Sequence, residues 1–501
     1  MFETTRTYQT RISAEADEVL SDYATLMARV EHCLFADFTK GKKLTDLKSS
    51  YLMQFGITAR QFNAVRVRLE GKIHSIQQRQ SQLIEEKKQQ IAALEERVAK
   101  ILDDQLLHQK RRRLAALRHK LKKLETEKNA GHISLCFGSR RLFHKQFHLR
   151  ENGYNAHADW KRDWQDARKG EIFTLGSKDE SGGNQTCTAS VSGDGSISLR
   201  VRLPDSLAIK HGKYFVIPNL RFAYGHEVIM TAIQNCQLRR DLQLLNDPNY
   251  KNLGQAITIR FKKCPKGWYV LISTDISLPR PITSKEKGVI GVDINSDHLA
   301  VVEIDRFGNV LASHTMALPP KSATHTQWRA AIGEASKQII SLCEKTQKPL
   351  ILEDLDFQKK KAQLREKHNS YARMLSSFAY QSILTHLKSR GASKGIQVHG
   401  VNPAFTSLIG RVNYARRYGL SIHHAAALCI GRRYLGLSER IPQGRRDIPD
   451  GKCGQITLDL PVRNRSRHAW QQWRQLSKKC SAALTAHFRT APADPRAPRS
   501  S

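Results

Sequence analysis

The chain has 501 residues, which at roughly 100–200 residues per domain allows two to four domains. Its 82 Lys and Arg against 46 Asp and Glu leave a net charge of +36 that points to a polyanionic partner, and 40% hydrophobic residues exclude general disorder. No apolar run reaches the ~18 residues of a membrane helix, the first twenty residues lack an apolar signal core, and the nine scattered cysteines contain no Cys-x-x-Cys pair. The expectation is a cytoplasmic protein with no membrane partner, no disulfide framework and no Cys-rich zinc ribbon.

Thr5 to Arg11 alternates like a strand, and Ala14 to about Leu69 reads as helical with breaks at Gly41 and Gly56. From Gly71 to Asn129 apolar residues recur at Ile84, Ile91, Leu94, Val98 and Ile101, then at Leu107, Leu114, Leu117, Leu121 and Leu124. That spacing predicts a long helix or a helical hairpin bent near Asp103-Asp104. The run Lys110-Arg111-Arg112-Arg113 lies within it, either as a solvated face or as a contact to a nucleic-acid backbone.

Ile133 to Ile282 reads as short β-type runs broken by turns. One hairpin is expected from Thr186–Val191 and Ile197–Leu203, and another joins Ile257–Phe261 to Trp268–Ser273 across residues 262–267. Together they suggest a small β-barrel. Arg140 and Arg141 sit beside Phe143 and Phe147, a basic and aromatic interleaving of the kind that contacts nucleic acid.

At Gly288 the texture changes. Val289-Ile290-Gly291-Val292-Asp293-Ile294 is an apolar strand carrying one acid, followed by strands Leu299–Ile304 and Val310–Thr315. A helix over His325–Thr346 leads to the strand Pro349–Leu352, which ends in Glu353-Asp354. A helix over Met374–Ser389, a strand over Ile396–Val401 and a helix over Ser421–Leu435 complete a β-β-β-α-β-α-β-α order. An ionised acid in a buried strand needs a counter-charge or a metal. If the fourth strand joins the sheet beside the first, Asp293 and Glu353 become neighbours. Bound Mg²⁺, or Mn²⁺, is the usual remedy for two such carboxylates and is the basis of two-metal phosphodiester cleavage in ribonuclease H-like nucleases.

Gly291-Val292-Asp293-Ile294 through Val301, Leu350-Ile351-Leu352-Glu353-Asp354-Leu355, and Val401-Asn402-Pro403-Ala404-Phe405-Thr406-Ser407 resemble the signature regions of the RuvC domain of transposon-encoded TnpB (OrfB) proteins, relatives of type V CRISPR effectors. The resemblance implies a multidomain α+β protein: a first wedge strand over residues 1–14, a helical recognition lobe over 15–130, a β-barrel wedge domain over 131–286, a RuvC-like α/β nuclease domain over 287–436, and a basic tail over 437–501. It further implies an RNA-guided endonuclease at the prokaryotic nucleoid, with Mg²⁺ and a guide RNA as cofactors and double-stranded target DNA as substrate. Lys110 to Arg113, Arg140, Arg141, Arg416 and Arg417 would contribute to the nucleic-acid grip.

Two departures from that family stand out. The four-cysteine zinc ribbon is missing, since Ser407 leads through Arg416-Arg417 directly to Ile422-His423-His424-Ala425-Ala426-Ala427. Aligning the alanines puts His423 where the third acid belongs, and a shift of one residue would put His424 there. An imidazole serves both as metal ligand and as general base near neutral pH. Asp447 and Asp450 are further candidates for a replacement ligand. Without a third acid, the alternative is a nuclease-inactive RNA-guided DNA-binding protein. Residues 463–501 hold nine Lys or Arg and one acid, Asp494, so a disordered, RNA-touching tail is expected past Thr490.

Overall fold

The computed structural model describes residues 3–99, 101–245, 250, 253–320, 322–354, 377–451, 454–462 and 469–490. The chain divides into two compact units, residues 2–277 and residues 278–501.

The N-terminal unit opens with β1 (Glu3–Arg11) and four helices, α1 (Asp17–Thr39), α2 (Lys48–Phe55), α3 (Ala59–Val98) and α4 (Asp104–Asn129). Gly56 ends α2 in the left-handed region at φ 57°, where a side chain is disfavoured, and Thr58 caps α3 through a capping box with Gln61. Asp103 caps α4 by accepting from the Leu106 N–H, so the predicted bend near Asp103-Asp104 is a true helix break. The hairpin of α3 and α4 is zipped by Ile91, Leu94, Leu114 and Leu117, with the Arg118–Glu95 ion pair bridging the helices at 2.6 Å.

Residues 133–277 are not all β. They hold α5 (Arg140–Lys145), α6 (His157–Lys169), β2 (Glu171–Thr174), β3 (Cys187–Val191), β4 (Ile197–Arg202), α7 (Asp205–His211), β5 (Tyr214–Leu220), α8 (His226–Leu244), β6 (Thr258–Cys264) and β7 (Gly267–Ser277). Both predicted hairpins form, β3 with β4 and β6 with β7. The second turn is tighter than expected, because Lys262, Lys263 and Cys264 continue the ladder and leave Pro265 and Lys266 as the whole turn. No barrel closes. Strands β1-β7-β6-β2 make one four-stranded sheet, while β3-β4-β5 pair only among themselves in a second sheet, so the strands are split between two sheets rather than curled into one. Helices and sheets share a single core that runs from Ile12 and Leu20 through Phe62 and Leu199 to Phe261 and Ile272.

The C-terminal unit is built on β8 (Val289–Ile294), β9 (His298–Ile304), β10 (Val310–Ala317), β11 (Leu350–Glu353) and β12 (Val398–Val401), in the order β10-β9-β8-β11-β12. The first three are antiparallel, and β11 runs parallel to both β8 and β12. This is the ribonuclease H-like arrangement, with the fourth strand beside the first as predicted. On one face, α9 (His325–Thr346) and α10 (Ser377–Ser393) cover Ile290, Val292, Leu350 and Leu352. On the other lie the short α11 (Thr406–Ile409), a π-helical turn (Gly410–Ala415) and α12 (Ile422–Tyr434). The expected basic tail is folded in its described parts. The hairpin β13 (Arg445–Pro449) and β14 (Gln455–Asp459) and the helix α13 (Ala469–Thr490) bury Ile448, Leu458, Trp473 and Leu476 in the same core as α12. Residues past Thr490, expected to be disordered, lie outside the described residues.

Candidate nuclease site

Strand alternation decides which side chains meet. In β8, Ile290 and Val292 face α9 and α10, which turns Val289, Gly291 and Asp293 to the opposite face. In β11, Leu350 and Leu352 likewise face α9 and α10, and Ile351 and Glu353 face α12. The parallel register pairs Leu350 with Ile290 and Ile351 with Gly291, and continuing it two residues brings Glu353 level with Asp293. Both acids therefore project from the same ends of adjacent parallel strands onto one face.

α12 supplies the third group. It lies flush on β8, because a Cβ on Gly291 would sit 2.1 Å from the Ala427 carbonyl oxygen. Ser421 caps the helix by accepting from the His424 N–H at 3.2 Å. That places His423 in the first turn, where the free N–H groups favour anions. Its Nδ1 lies 3.3 Å from Asp293 Oδ2. Asp293 is 8% exposed, and its other partner is the Asn295 amide, which donates to Oδ2 at 3.0 Å. The hydrogen bond to Asp293 raises the His423 pKa above the usual imidazole value; burial opposes this, Asp297 adds to it and Arg411 works against it. His298 packs edge-on against His423 with centroids 5.0 Å apart, and is itself held by Asp297 at 2.9 Å.

Glu353 accepts from the Thr406 hydroxyl at 2.5 Å, and its backbone carbonyl accepts from the Tyr380 hydroxyl at 3.0 Å. Burial, followed by the charges of Glu353, Asp354 and Asp293, pushes the Tyr380 phenol upward, so the ring remains neutral beside these acids.

His424 points elsewhere. Its Nδ1 lies 2.8 Å from Ser421 Oγ, and its Nε2 lies 3.0 Å from the His314 carbonyl on β10. Asp447 is held by Arg416 at 3.0 Å and by the Thr457 hydroxyl at 2.8 Å. Asp450 is buried, accepts from the Gly454 N–H at 2.9 Å and lies 3.2 Å from His487 Nε2. Both of these acids are engaged within the C-terminal hairpin and its neighbours. Asn295, His298, Tyr380 and Thr406 were not singled out from the sequence. Only Asn295, two residues past the acid in a turn, and Thr406, inside the Pro403–Ser407 run, carried a signal.

The donor set of two carboxylates and an imidazole suits a hard divalent cation. Among the described residues, the donor atoms of Glu18, Asp22 and His211 lie within 4.8 Å of one another, and the set of Asp293, Glu353 and His423 is wider. The Glu18 set is already neutralised, since the Lys210 ammonium lies 2.8 Å from both acids.

The basic candidates fall in several places. Arg111, Arg112 and Arg113 are exposed on α4 and Lys110 is half-buried. Arg140 and Arg141 are exposed at the start of α5. Arg417 lies 5.3 Å over the Tyr418 ring. Cys429 is fully buried and its thiol is pushed up by burial, as befits a packing residue, and Cys453 lies outside the described residues. No helix among the described residues is long and apolar enough to cross a membrane.

No family model matches the chain, and no curated protein does. Among solved structures, T. thermophilus RuvC in complex with a Holliday junction substrate aligns at TM-score 0.22 and 13% identity, covering 28% of this chain and 88% of that one. A CRISPR-Cas12f ternary complex aligns at TM-score 0.18 and 13% identity, covering 86% of this chain and 99% of that one. Both likenesses are too loose to carry a functional argument, which rests instead on the strand order and the geometry around Asp293.

Proposed function

We propose that the chain is a nuclease of the RuvC and type V effector kind, and more narrowly an RNA-guided DNA endonuclease of the TnpB type. The observation that carries the reading is the Asp293–His423 contact at 3.3 Å, on the sheet face shared with Glu353. Asp293, Glu353 and His423 would hold Mg²⁺ or Mn²⁺, which when bound supplies an activated water and stabilises the leaving oxygen. Asn295 and Thr406 orient the two carboxylates, and His423, half exposed, is placed to accept a proton at Nε2 while Nδ1 faces Asp293. A net charge of +36 suits a guide RNA and a DNA duplex held together. A second reading, a nuclease-inactive RNA-guided DNA binder, is favoured by the same contact, because an imidazole with a raised pKa can serve as the counter-charge of Asp293 in place of a metal.

Purification from cells carrying the native locus, sequencing of bound RNA and a cleavage time course on guide-matched DNA test the reading. Cleavage in Mg²⁺ or Mn²⁺, abolished by Asp293→Asn or Glu353→Gln with DNA binding retained, is the expected result. An unmodified chain that holds the DNA and never cuts it would select the second reading. The absence of any bound RNA would remove both.

A further inference from the structure

In the N-terminal unit, α5 and α6 present a run of aromatic rings. Trp160 is buried, and its indole N–H donates to the Leu142 carbonyl at 2.8 Å. Trp164 stacks parallel on it with centroids 6.0 Å apart, Phe143 packs on Trp164 at 5.4 Å, and Phe147 stands edge-on to Phe143 at 6.1 Å. The run thus begins in the interior and ends in open rings, Phe143 at 38% and Phe147 at 65% exposure. Such rings would normally be covered, and a cluster of them marks a contact surface.

The charge around the run is positive. Residues 140–169 hold eight Lys or Arg against four Asp or Glu. The Arg168 guanidinium lies 5.8 Å over Trp164 and also lines a cleft of about 350 Å³ between α1 and α6, together with Arg29, His32, Gln165 and Lys169. His32 Nε2 and Arg168 Nε are buried with no hydrogen-bond partner among the described residues. An orphaned buried nitrogen is unfavourable unless a ligand completes it. The aromatic run and the cleft join at Arg168, so flat apolar faces and anion-seeking groups form one track.

We propose that this track binds an unpaired stretch of nucleic acid, with a base stacked on Phe147 and Phe143 and the adjoining phosphate in the Arg29, Arg168 and Lys169 cleft. The inference rests on the reading of the chain as a nucleic-acid enzyme and adds a site far in sequence from Asp293. Surface rings reach bases only where those bases are unstacked, so single strands fit and a duplex offers the rings nothing. Stacking tolerates any base, and the cleft adds the salt-dependent part of the affinity.

The test uses the full chain with labelled twelve-nucleotide oligo-U, oligo-dT and a duplex of equal length, read by anisotropy across a salt series, with 2-aminopurine quenching as the stacking signal. Phe147→Ala is expected to weaken single-strand binding about tenfold or more and to relieve the quenching, with duplex affinity and salt slope unchanged. Phe147→Leu should behave the same way, since it keeps apolar bulk and removes the ring. The double change of Arg29 and Lys169 to Ala should lower the salt slope by about one, the share of the single phosphate the cleft holds. The RNA and DNA arms show which strand the track prefers. Single-strand affinity within twofold of the parent in both Phe147 variants, or equal losses for duplex and single strand, would overturn the proposal. The readout needs no cleavage: a chain that cuts while ignoring Phe147 sinks this inference alone, and one that binds through Phe147 without cutting sinks the nuclease reading alone.

Discussion

His423 Nδ1 lies 3.3 Å from Asp293 Oδ2, while its neighbour His424 turns to the β10 backbone and lies 3.0 Å from the His314 carbonyl. Two adjacent imidazoles on one helix thus make separate contacts. His423→Ala is expected to slow cleavage at least about 10²-fold, the scale of one positioned acid–base group. His424→Ala should cost little rate and about 1 kcal/mol of stability, because it removes the hydrogen bonds to Ser421 and His314. Single-turnover rates and thermal melts of both variants separate the cases. Full activity in His423→Ala would exclude a catalytic imidazole.

Gly291 offers a test that leaves all three candidate ligands in place. An Ala there would put its Cβ 2.1 Å from the Ala427 carbonyl oxygen, so α12 must lift off β8. Overpacking of this kind costs about 1–3 kcal/mol. The lift also draws His423 away from Asp293, so cleavage should fall further than the loss of folded protein explains. A Gly291→Ala chain that melts lower and cuts at the parental rate would show that the contact is dispensable.

Arg111, Arg112 and Arg113 are exposed on α4, while Lys110 is half-buried one turn before Leu114, which with Leu117 is buried against α3. Changing Lys110, Arg111, Arg112 and Arg113 to Ala should leave the helical hairpin folded. The slope of log affinity against log salt should fall by about one for each phosphate that the altered face no longer neutralises. An unaltered slope would identify the face as solvated only.

His32 predicts an acid-sensitive N-terminal unit. Burial first, then the Arg168 charge, lowers its pKa to about 4, while Glu31 pulls the other way. The folded state thus binds fewer protons than the unfolded chain, whose imidazole titrates near 6.5. The stabilising contribution is present above about pH 6.5 and is lost as the pH falls toward 4. His32→Phe should flatten the decline of melting temperature across that window relative to the parent. Parallel declines in the two proteins would contradict the assignment.

Much of the C-terminal unit's sheet was legible because its signals are local. The β8 run is apolar with a single acid, and three strands followed by a helix and a fourth strand leave few sheet orders open. The N-terminal unit was harder. α6 buries only Trp160 and carries mostly charged residues, so little apolar periodicity marks it. α8 does bury Ile229, Ala232, Ile233 and Cys236 at helical spacing, but it lies between strands whose texture dominates. The barrel expectation failed because hairpins announce pairing with the next strand, whereas closure depends on edges far apart in sequence. At the site, the choice between His423 and His424 turns on a helix phase of one residue, which only the packing of α12 on Gly291 sets. The folded C-terminal hairpin and the helix α13 were hidden by their basic composition, since Ile448 and Leu458 in the hairpin and Trp473 in the helix are sparse but all buried.

The pairing of β1 with β7 has a consequence for biogenesis. Glu3 lies opposite Ser277 and Arg11 opposite Tyr269, so the first strand of this unit is bonded to its last. At roughly 5–20 residues per second, the ribosome leaves β1 without that partner for some 15 to 50 seconds. During that interval its Thr- and Arg-rich stretch must avoid pairing with other chains, and its alternating polar side chains and cations Arg6 and Arg11 serve as the guard. An amino-terminal fusion that delays or blocks this late closure should harm the yield of folded protein more than a carboxy-terminal fusion of the same size.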